Sequence, residues 1–160
     1  LGLGERAGNA PTEDVAMALL TMYGIDIGLK YDKLYPLSKL VQEISGVEVP
    51  SNRSVVGDQL FQVESGIIAN WFRNCGKEHQ TELFPFRPEF VGQTDASVVL
   101  GKGSGIDSVK IWLEKFQIQA TDEQAMAILM EVKAFGGAQK RLLKDEEFRK
   151  IANDTLAKVA

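Results

Sequence analysis

Glycine and proline residues cut the chain into short segments, and this spacing restricts the folds open to it. Apolar residues recur at helical spacing in about six of these segments. Only short strands fit between them, and the stretch from Ala96 to Leu100 is the clearest strand candidate. The pattern therefore predicts a mainly α-helical chain with a few short strands, which does not close a β-barrel by itself.

The first three predicted helices have clear start and stop signals. Pro11 suits the first turn of a helix that ends at Gly24. Asp32 is predicted to cap a second helix that ends at Gly46, and a third helix is predicted from Asp58 to Asn74. The residues predicted to form the apolar faces of the first two helices are Val15, Ala18, Leu19, Met22, Leu34, Leu37, Leu40, Val41 and Ile44.

Three more helices are predicted in the second half of the chain. A glycine-rich turn from Gly101 to Gly105 leads into the fourth helix. The predicted apolar side of that helix comprises Val109, Trp112, Leu113 and Phe116. Thr121 and Gln124 have the spacing of a capping box and start the fifth helix. Gly136-Gly137 is expected to break it, and Asp145 is predicted to cap the last helix.

The composition argues against several classes of function. A net charge of −4 without a basic block argues against a nucleic-acid partner, and no apolar run is long enough to span a membrane. The single cysteine, Cys75, excludes an internal disulfide and a cysteine-based zinc site, and it fits a cytoplasmic location. Because His79 is the one histidine, a catalytic metal would need carboxylates, amides or a partner chain as ligands.

The most specific stretch is Gly2–Ala10, a glycine-rich turn directly before a predicted helix. Its structural glycines are Gly2, Gly4 and Gly8. Glu5 and Asn9 are hard oxygen donors of the kind that suits Mg²⁺ or Mn²⁺. The residues alone leave a second interpretation open, in which Asn9 caps the helix and Glu5 forms a solvated pair with Arg6.

A second glycine-rich turn contains Lys102, Gly103, Ser104 and Gly105. Its backbone N–H groups, near a helix start, are suited to contact a phosphate group such as those of coenzyme A (CoA). The turn lacks the spacing of a nucleotide-hydrolysing phosphate loop, so the sequence does not support nucleotide hydrolysis. A plain connector is the alternative interpretation.

Four ordered motifs resemble the isopropylmalate, citramalate and homocitrate synthases, and the similarity covers residues 1–157. These motifs are Gly2–Ala10, Lys33–Gly46, Val56–Ile67 and Pro88–Gly105. The resemblance implies that residues 1–24 are the last strand, loop and helix of a catalytic (β/α)8 TIM barrel. It also implies helical accessory subdomains at residues 25–95 and 96–160.

The resemblance implies a metal-dependent enzyme that condenses acetyl-CoA with a 2-oxo acid. By this resemblance Asn9 reaches the divalent metal, which is Mg, Mn or Zn, or its water shell, and Glu5 is catalytic and orients groups nearby. Residues that approach the active site of a partner subunit would be Glu64, Ser65, Lys102 and Ser104. The other metal ligands of the family lie on earlier barrel strands, so this segment alone is expected to bind no metal and to be inactive.

The sequence departs from the isopropylmalate synthases at positions where they have histidine or tyrosine. Val63 and Ile68 flank the Glu-Ser-Gly-Ile motif, Leu83 stands near the tyrosine position, and Gly103 replaces a histidine. We therefore expect another 2-oxo acid or acyl-CoA, or the lyase direction. A lyase of the hydroxymethylglutaryl-CoA type would have a cysteine in the first loop, which Ala7 and Gly8 do not supply.

The alternative from another class is a helical dimerisation or interaction module without chemistry. A helix removed from a barrel exposes its apolar face, and such a chain is expected to associate with itself as a homodimer or higher oligomer. The surfaces predicted to make this contact are Val15, Leu19 and the segment Leu60–Phe72.

Overall fold

A computed structural model describes residues 1–159. It is mainly helical with short strands, as the sequence predicts. The chain forms two compact units, one of residues 1–61 and 80–96, the other of residues 62–79 and the chain from Ser97 onwards. The predicted division at residues 1–24, 25–95 and 96–160, and the assignment of the first part to a barrel, stay predictions.

The first unit contains the helices α1 (Thr12–Tyr23) and α2 (Leu34–Ser45). Each ends as predicted at a glycine in the left-handed conformation, Gly24 for α1 and Gly46 for α2. Its 3₁₀ turns are Tyr31–Lys33, Gln80–Glu82 and Pro88–Val91. The buried core cluster comprises Ala16, Met17, Tyr31, Leu34, Val55, Val56, Phe61 and Val91. This core holds α1 and α2 against the irregular stretch 80–96.

The second unit contains a two-stranded parallel sheet and four helices. Strand β1 (Gln62–Val63) pairs with β2 (Ser97–Val98), which confirms the predicted strand in its central part. The helices are α3 (Gly66–Cys75), α4 (Ile106–Lys115), α5 (Asp122–Gln139) and α6 (Asp145–Val159). Trp112 of α4 lies in the core, where its indole N–H donates to the carbonyl of Val98 at 2.8 Å and its ring packs edge-on against Phe148.

The predicted helix from Asp58 to Asn74 is wrong in its first half. Leu60 and Phe61 lie in a turn, and the next two residues form β1. The helix begins only at Gly66, which the prediction placed inside it. Local apolar spacing favoured a helix here, but pairing with β2, far along the chain, gives residues 62–63 backbone partners in a strand.

Two other predicted helix boundaries are also wrong. Asp32 lies inside the 3₁₀ turn, and no side-chain cap precedes α2. Helix α5 continues through Gly136-Gly137 and ends at Gln139. A Cβ on Gly136 would lie 2.5 Å from the backbone nitrogen of Lys102, so this glycine permits a close backbone approach within a continuous helix.

The buried faces of α1 and α2 differ from the predicted stripes. In α1 the buried side chains are Glu13, Ala16 and Met17, whereas the predicted Met22 is 74% exposed. In α2 Leu34 is buried, but Ile44 is 76% exposed. The apolar stripe of α2 is therefore largely uncovered by the residues that the structure describes. None of the helices within residues 1–159 is long and apolar enough to cross a membrane.

The capping box at the start of α5 is present as predicted. The Thr121 hydroxyl accepts from the Gln124 backbone N–H at 3.2 Å, and the Gln124 side chain accepts from the Thr121 N–H at 2.9 Å. Thr121→Ala should lower the free energy of unfolding by about 1 kcal/mol, because the backbone N–H of Gln124 loses its acceptor. Urea denaturation measures this, with exposed Thr94→Ala as control. A Thr121→Ser variant as unstable as Thr121→Ala would contradict the account.

Glu147, in the first turn of α6, has its pKa lowered from 4.5 to about 2. The main cause is the Arg141 guanidinium at 2.6 Å, and the backbone N–H of Lys144 also donates to the carboxylate. A lowered carboxyl pKa stabilises the fold above about pH 4.5, and this contribution disappears as the pH falls through about 2. In a carbon NMR titration, Arg141→Gln should move the Glu147 midpoint up towards 4.5. An unchanged midpoint would show that another group sets it.

Candidate functional site

The Gly2–Ala10 stretch forms a closed bend in front of α1. The backbone N–H of Asn9 donates to the carbonyl of Gly2 at 2.8 Å, and that of Gly8 donates to the carbonyl of Glu5 at 3.1 Å. Gly2 and Gly8 have φ values of +71° and +78°. Because residues with a side chain rarely adopt this left-handed backbone conformation, the bend needs glycine at both positions, as predicted.

The Asn9 side chain is held in a fixed orientation within the bend. Its Nδ2 donates to the carbonyl of Leu3 at 3.0 Å. A Cβ on Gly4 would lie 2.3 Å from this Nδ2, so Gly4 makes room for the side chain. Because Nδ2 donates to Leu3, Oδ1 is the atom of this amide that can accept a hydrogen bond or ligate a cation.

Helix α1 follows Pro11 as its N-cap, and no side chain caps it. The interpretation of Asn9 as a helix cap is therefore wrong. Glu5 is exposed at the tip of the bend, next to Arg6, whose φ is +56°. The bend thus presents two oxygen donors, the Glu5 carboxylate and Asn9 Oδ1, on one short loop.

These donors alone do not make a metal centre. Among residues 1–159, no three side chains of His, Cys, Asp or Glu come together as a group that could hold a metal ion. The chemistry of the two donors nevertheless fits a hard divalent cation, because an amide oxygen and a carboxylate are the ligand types that Mg²⁺ and Mn²⁺ prefer.

The other four predicted site residues meet in the second unit, at the carboxyl ends of the two parallel strands. Glu64 and Ser65 follow β1 and lead into α3, while Lys102 and Ser104 follow β2 and lead into α4. Ser65 and Ser104 pair as an isolated antiparallel bridge. We call residues 64–67 and 101–106 the paired helix starts.

Two glycines bring the paired helix starts into backbone contact. A Cβ on Gly66 would lie 2.7 Å from the Cα of Gly105, and a Cβ on Gly105 would lie 2.6 Å from the Cα of Gly66. Both are shorter than real Cβ contacts, so a side chain at either position would force the two helix starts apart.

Glu64 and Ser104 both accept hydrogen bonds from the backbone of the glycine-rich turn at residues 101–105. The Glu64 Oε1 accepts from the backbone N–H of Gly103 at 2.7 Å. The Ser104 hydroxyl is buried and accepts from the backbone N–H of Gly101 at 2.9 Å. Ser65 and Lys102 are exposed beside them. Of these four side chains, Ser65 and Lys102 are therefore the most accessible to a bound molecule.

Two side chains that were not predicted from the sequence support this site. The Ser108 hydroxyl donates to the carbonyl of Glu64 at 2.8 Å, and the Lys133 ammonium donates to the carbonyl of Ser104 at 3.1 Å. The sequence does contain a signal for the paired helix starts, because Ser-Gly-Ile occurs in both of them, beginning at Ser65 and at Ser104. That repeat indicates two equivalent strand-to-helix turns.

Comparison with known proteins confirms the family resemblance. The chain is 38% identical over 159 residues to a putative (R)-citramalate synthase of Methanopyrus kandleri, covering 99% of this chain and 30% of that protein. It is 37% identical over 159 residues to the (R)-citramalate synthase of Methanocaldococcus jannaschii, covering 99% of this chain and 31% of that protein. No protein-family model matches the chain.

The similarity extends to two related activities. A 2-isopropylmalate synthase of Methanocaldococcus jannaschii is 34% identical over 99% of this chain, which spans 30% of that protein. A homocitrate synthase of Methanothermobacter thermautotrophicus is 37% identical over 94% of this chain, which spans 37% of that protein. The chain therefore corresponds to about a third of the length of these proteins.

Proposed function

We propose that this chain belongs to an enzyme of the reaction class of the citramalate, isopropylmalate and homocitrate synthases. The premise is that the chain is homologous over nearly its whole length to part of these proteins. The reaction would condense acetyl-CoA or a related acyl-CoA with a 2-oxo acid. The observation that carries the proposal is the Gly2–Ala10 bend in the matching region, where Glu5 and Asn9 are exposed and the Asn9 Nδ2 is held by the carbonyl of Leu3.

The proposed role of the bend is to complete a divalent metal site. Asn9 would contribute Oδ1 as a ligand, because its Nδ2 is already held by the carbonyl of Leu3. Glu5 would accept hydrogen bonds from groups around the metal and orient them. A divalent metal bound there would supply Lewis-acid polarisation of the 2-oxo group. The remaining ligands would come from outside this chain, since residues 1–159 contain no complete ligand cluster.

The proposed role of the paired helix starts is to contact the acyl-CoA from a neighbouring subunit. Lys102 is exposed and can pair with a phosphate, while Ser65 can donate a hydrogen bond. Glu64 and Ser104 hold the turn in place through the N–H groups of Gly103 and Gly101. Their function in this proposal is to fix the position of Lys102.

Self-association is part of the same proposal. Of the residues predicted to mediate it, Val15 is 46% exposed, Ile67 81% and Trp71 46%, whereas Phe61 is buried in the core. The exposed apolar side chains also favour the second candidate function, a dimerisation module without chemistry. Analytical ultracentrifugation distinguishes the two only together with an activity measurement, because both predict an oligomer.

A chimera tests the proposed function. In it, this chain replaces the matching segment of the Methanocaldococcus jannaschii citramalate synthase. We expect it to release CoA from acetyl-CoA in the presence of at least one of a panel of 2-oxo acids, and to require a divalent cation. The matched control lacks the segment. A chimera that unfolds cooperatively on heating but releases no more CoA than this control would contradict the proposal and favour the interaction module.

A further inference from the structure

Glu13 is a buried carboxylate that the proposed function does not use. It lies in the first turn of α1 and is only 5% exposed. Its Oε2 lies 2.8 Å from the backbone nitrogen of Leu1, and among residues 1–159 no group donates to its buried Oε1. Burying a carboxylate costs free energy unless it is hydrogen-bonded. A buried carboxylate with one unpartnered oxygen therefore indicates a specific role for Glu13.

The position of Glu13 indicates what that role is. Leu1 stands directly before the Gly2–Ala10 bend and Glu13 stands shortly after it, so their contact closes the base of the bend. Above this contact, the Asn9 backbone N–H donates to Gly2 and the Asn9 side chain donates to Leu3. The contacts of Glu13 with Leu1, and of Asn9 with Gly2 and Leu3, thus follow one another from the base of the bend upwards. Together they fix the orientation of the bend.

We infer that Glu13 is a positioning residue, whose carboxylate holds the entry and the exit of the bend together and thereby fixes Asn9. The inference deepens the proposed function and rests on it, because fixing Asn9 matters only if Asn9 acts at the site. The nitrogen of Leu1 is a terminal ammonium in this chain. In a chain extended before Leu1 this nitrogen is an amide N–H, which is also a donor, and we expect the contact to persist there without the extra charge.

The test is amide hydrogen exchange of the Asn9 backbone N–H by NMR, in the chain carrying one residue before Leu1. Glu13→Met keeps the volume but removes the acceptor, and Glu13→Gln keeps an acceptor oxygen. We expect Glu13→Met to speed Asn9 exchange about tenfold or more, and Glu13→Gln to change it by less than about threefold. The Trp112 indole N–H, in the other unit, should exchange unchanged in both variants.

Two results would overturn the inference. Unchanged Asn9 exchange in Glu13→Met would show that Glu13 only fills space, and equal acceleration in both variants would show that its acceptor oxygen is not what matters. If Glu13→Met does not fold, Glu13→Asp, which is one methylene shorter, takes its place with the same expected acceleration. The experiment contains neither metal nor substrate, so its failure leaves the proposed function standing, and an inactive chimera leaves this inference standing.

Discussion

Replacing Gly136 by alanine should lower the free energy of unfolding by about 2 kcal/mol or more, whereas the same change at Gly137 should raise it by about 0.5–1 kcal/mol. A Cβ on Gly136 would lie 2.5 Å from the backbone nitrogen of Lys102 and 2.8 Å from the carbonyl carbon of Gly101. Both are backbone atoms, which cannot move aside cheaply. A Cβ on Gly137 would meet nothing within 4 Å.

The two glycines form a matched pair, because they are adjacent in the same helix and gain the same helix propensity from alanine. The difference between the variants therefore isolates the contact between α5 and the turn that carries Lys102. Urea denaturation followed by tryptophan fluorescence and by circular dichroism measures it. Equal effects at both positions would show that α5 does not pack closely on this turn.

The features that the sequence predicted correctly are those set by neighbouring residues. The capping box of Thr121 and Gln124 depends on residues three apart, and the glycine at the end of α1 needs only its own left-handed conformation. The Gly2–Ala10 bend likewise contains hydrogen bonds between its own residues. Such elements can be read from a short window of sequence.

The features that the sequence predicted wrongly depend on partners far along the chain. The local sequence favours a helix at residues 62–63, but pairing with β2 makes them a strand. It also favours a helix end at Gly136, where the glycine instead allows the backbone of Lys102 to approach a continuous helix. The face of α1 differs from the predicted stripe for another reason, because Glu13 is buried against Leu1 and apolar spacing does not predict a buried carboxylate. Periodicity reports amphipathic character, but it does not identify which surface a neighbour covers.

The candidate site shows the same division. The structural glycines of the bend were predicted from residue types, whereas the roles of Glu5 and Asn9 were predicted from the family resemblance. Ser108 and Lys133 were missed, because each supports the site through a backbone carbonyl of a residue distant in sequence. A side chain that binds a backbone group leaves no residue-type pattern at its partner, so only the structure identifies it.

Asn9→Ala in the chimera should raise the Mn²⁺ concentration needed for half-maximal activity about 10- to 100-fold. The physical reason is the loss of the Asn9 amide oxygen, the proposed ligand, on a side chain whose Nδ2 is held by the carbonyl of Leu3. Rates of CoA release across a Mn²⁺ titration give the value. The maximal rate at saturating metal should fall less than the metal affinity.

The matched control for this prediction is Asn70→Ala, which removes an exposed asparagine from α3. Its Mn²⁺ requirement should equal that of the unaltered chimera. If Asn9→Ala lowered the maximal rate without changing the Mn²⁺ requirement, Asn9 would act on substrate and would not be a metal ligand.

Metal binding at equilibrium, without substrate, tests most directly whether the Gly2–Ala10 bend presents Asn9 to a divalent cation. Free Mn²⁺ measured by electron paramagnetic resonance gives the dissociation constant of the chimera, with the unaltered citramalate synthase as reference. The account predicts that Asn9→Ala binds Mn²⁺ about 10- to 100-fold more weakly than the unaltered chimera, while Asn70→Ala binds it equally well. Equal Mn²⁺ binding by the Asn9→Ala variant and the unaltered chimera would contradict the account.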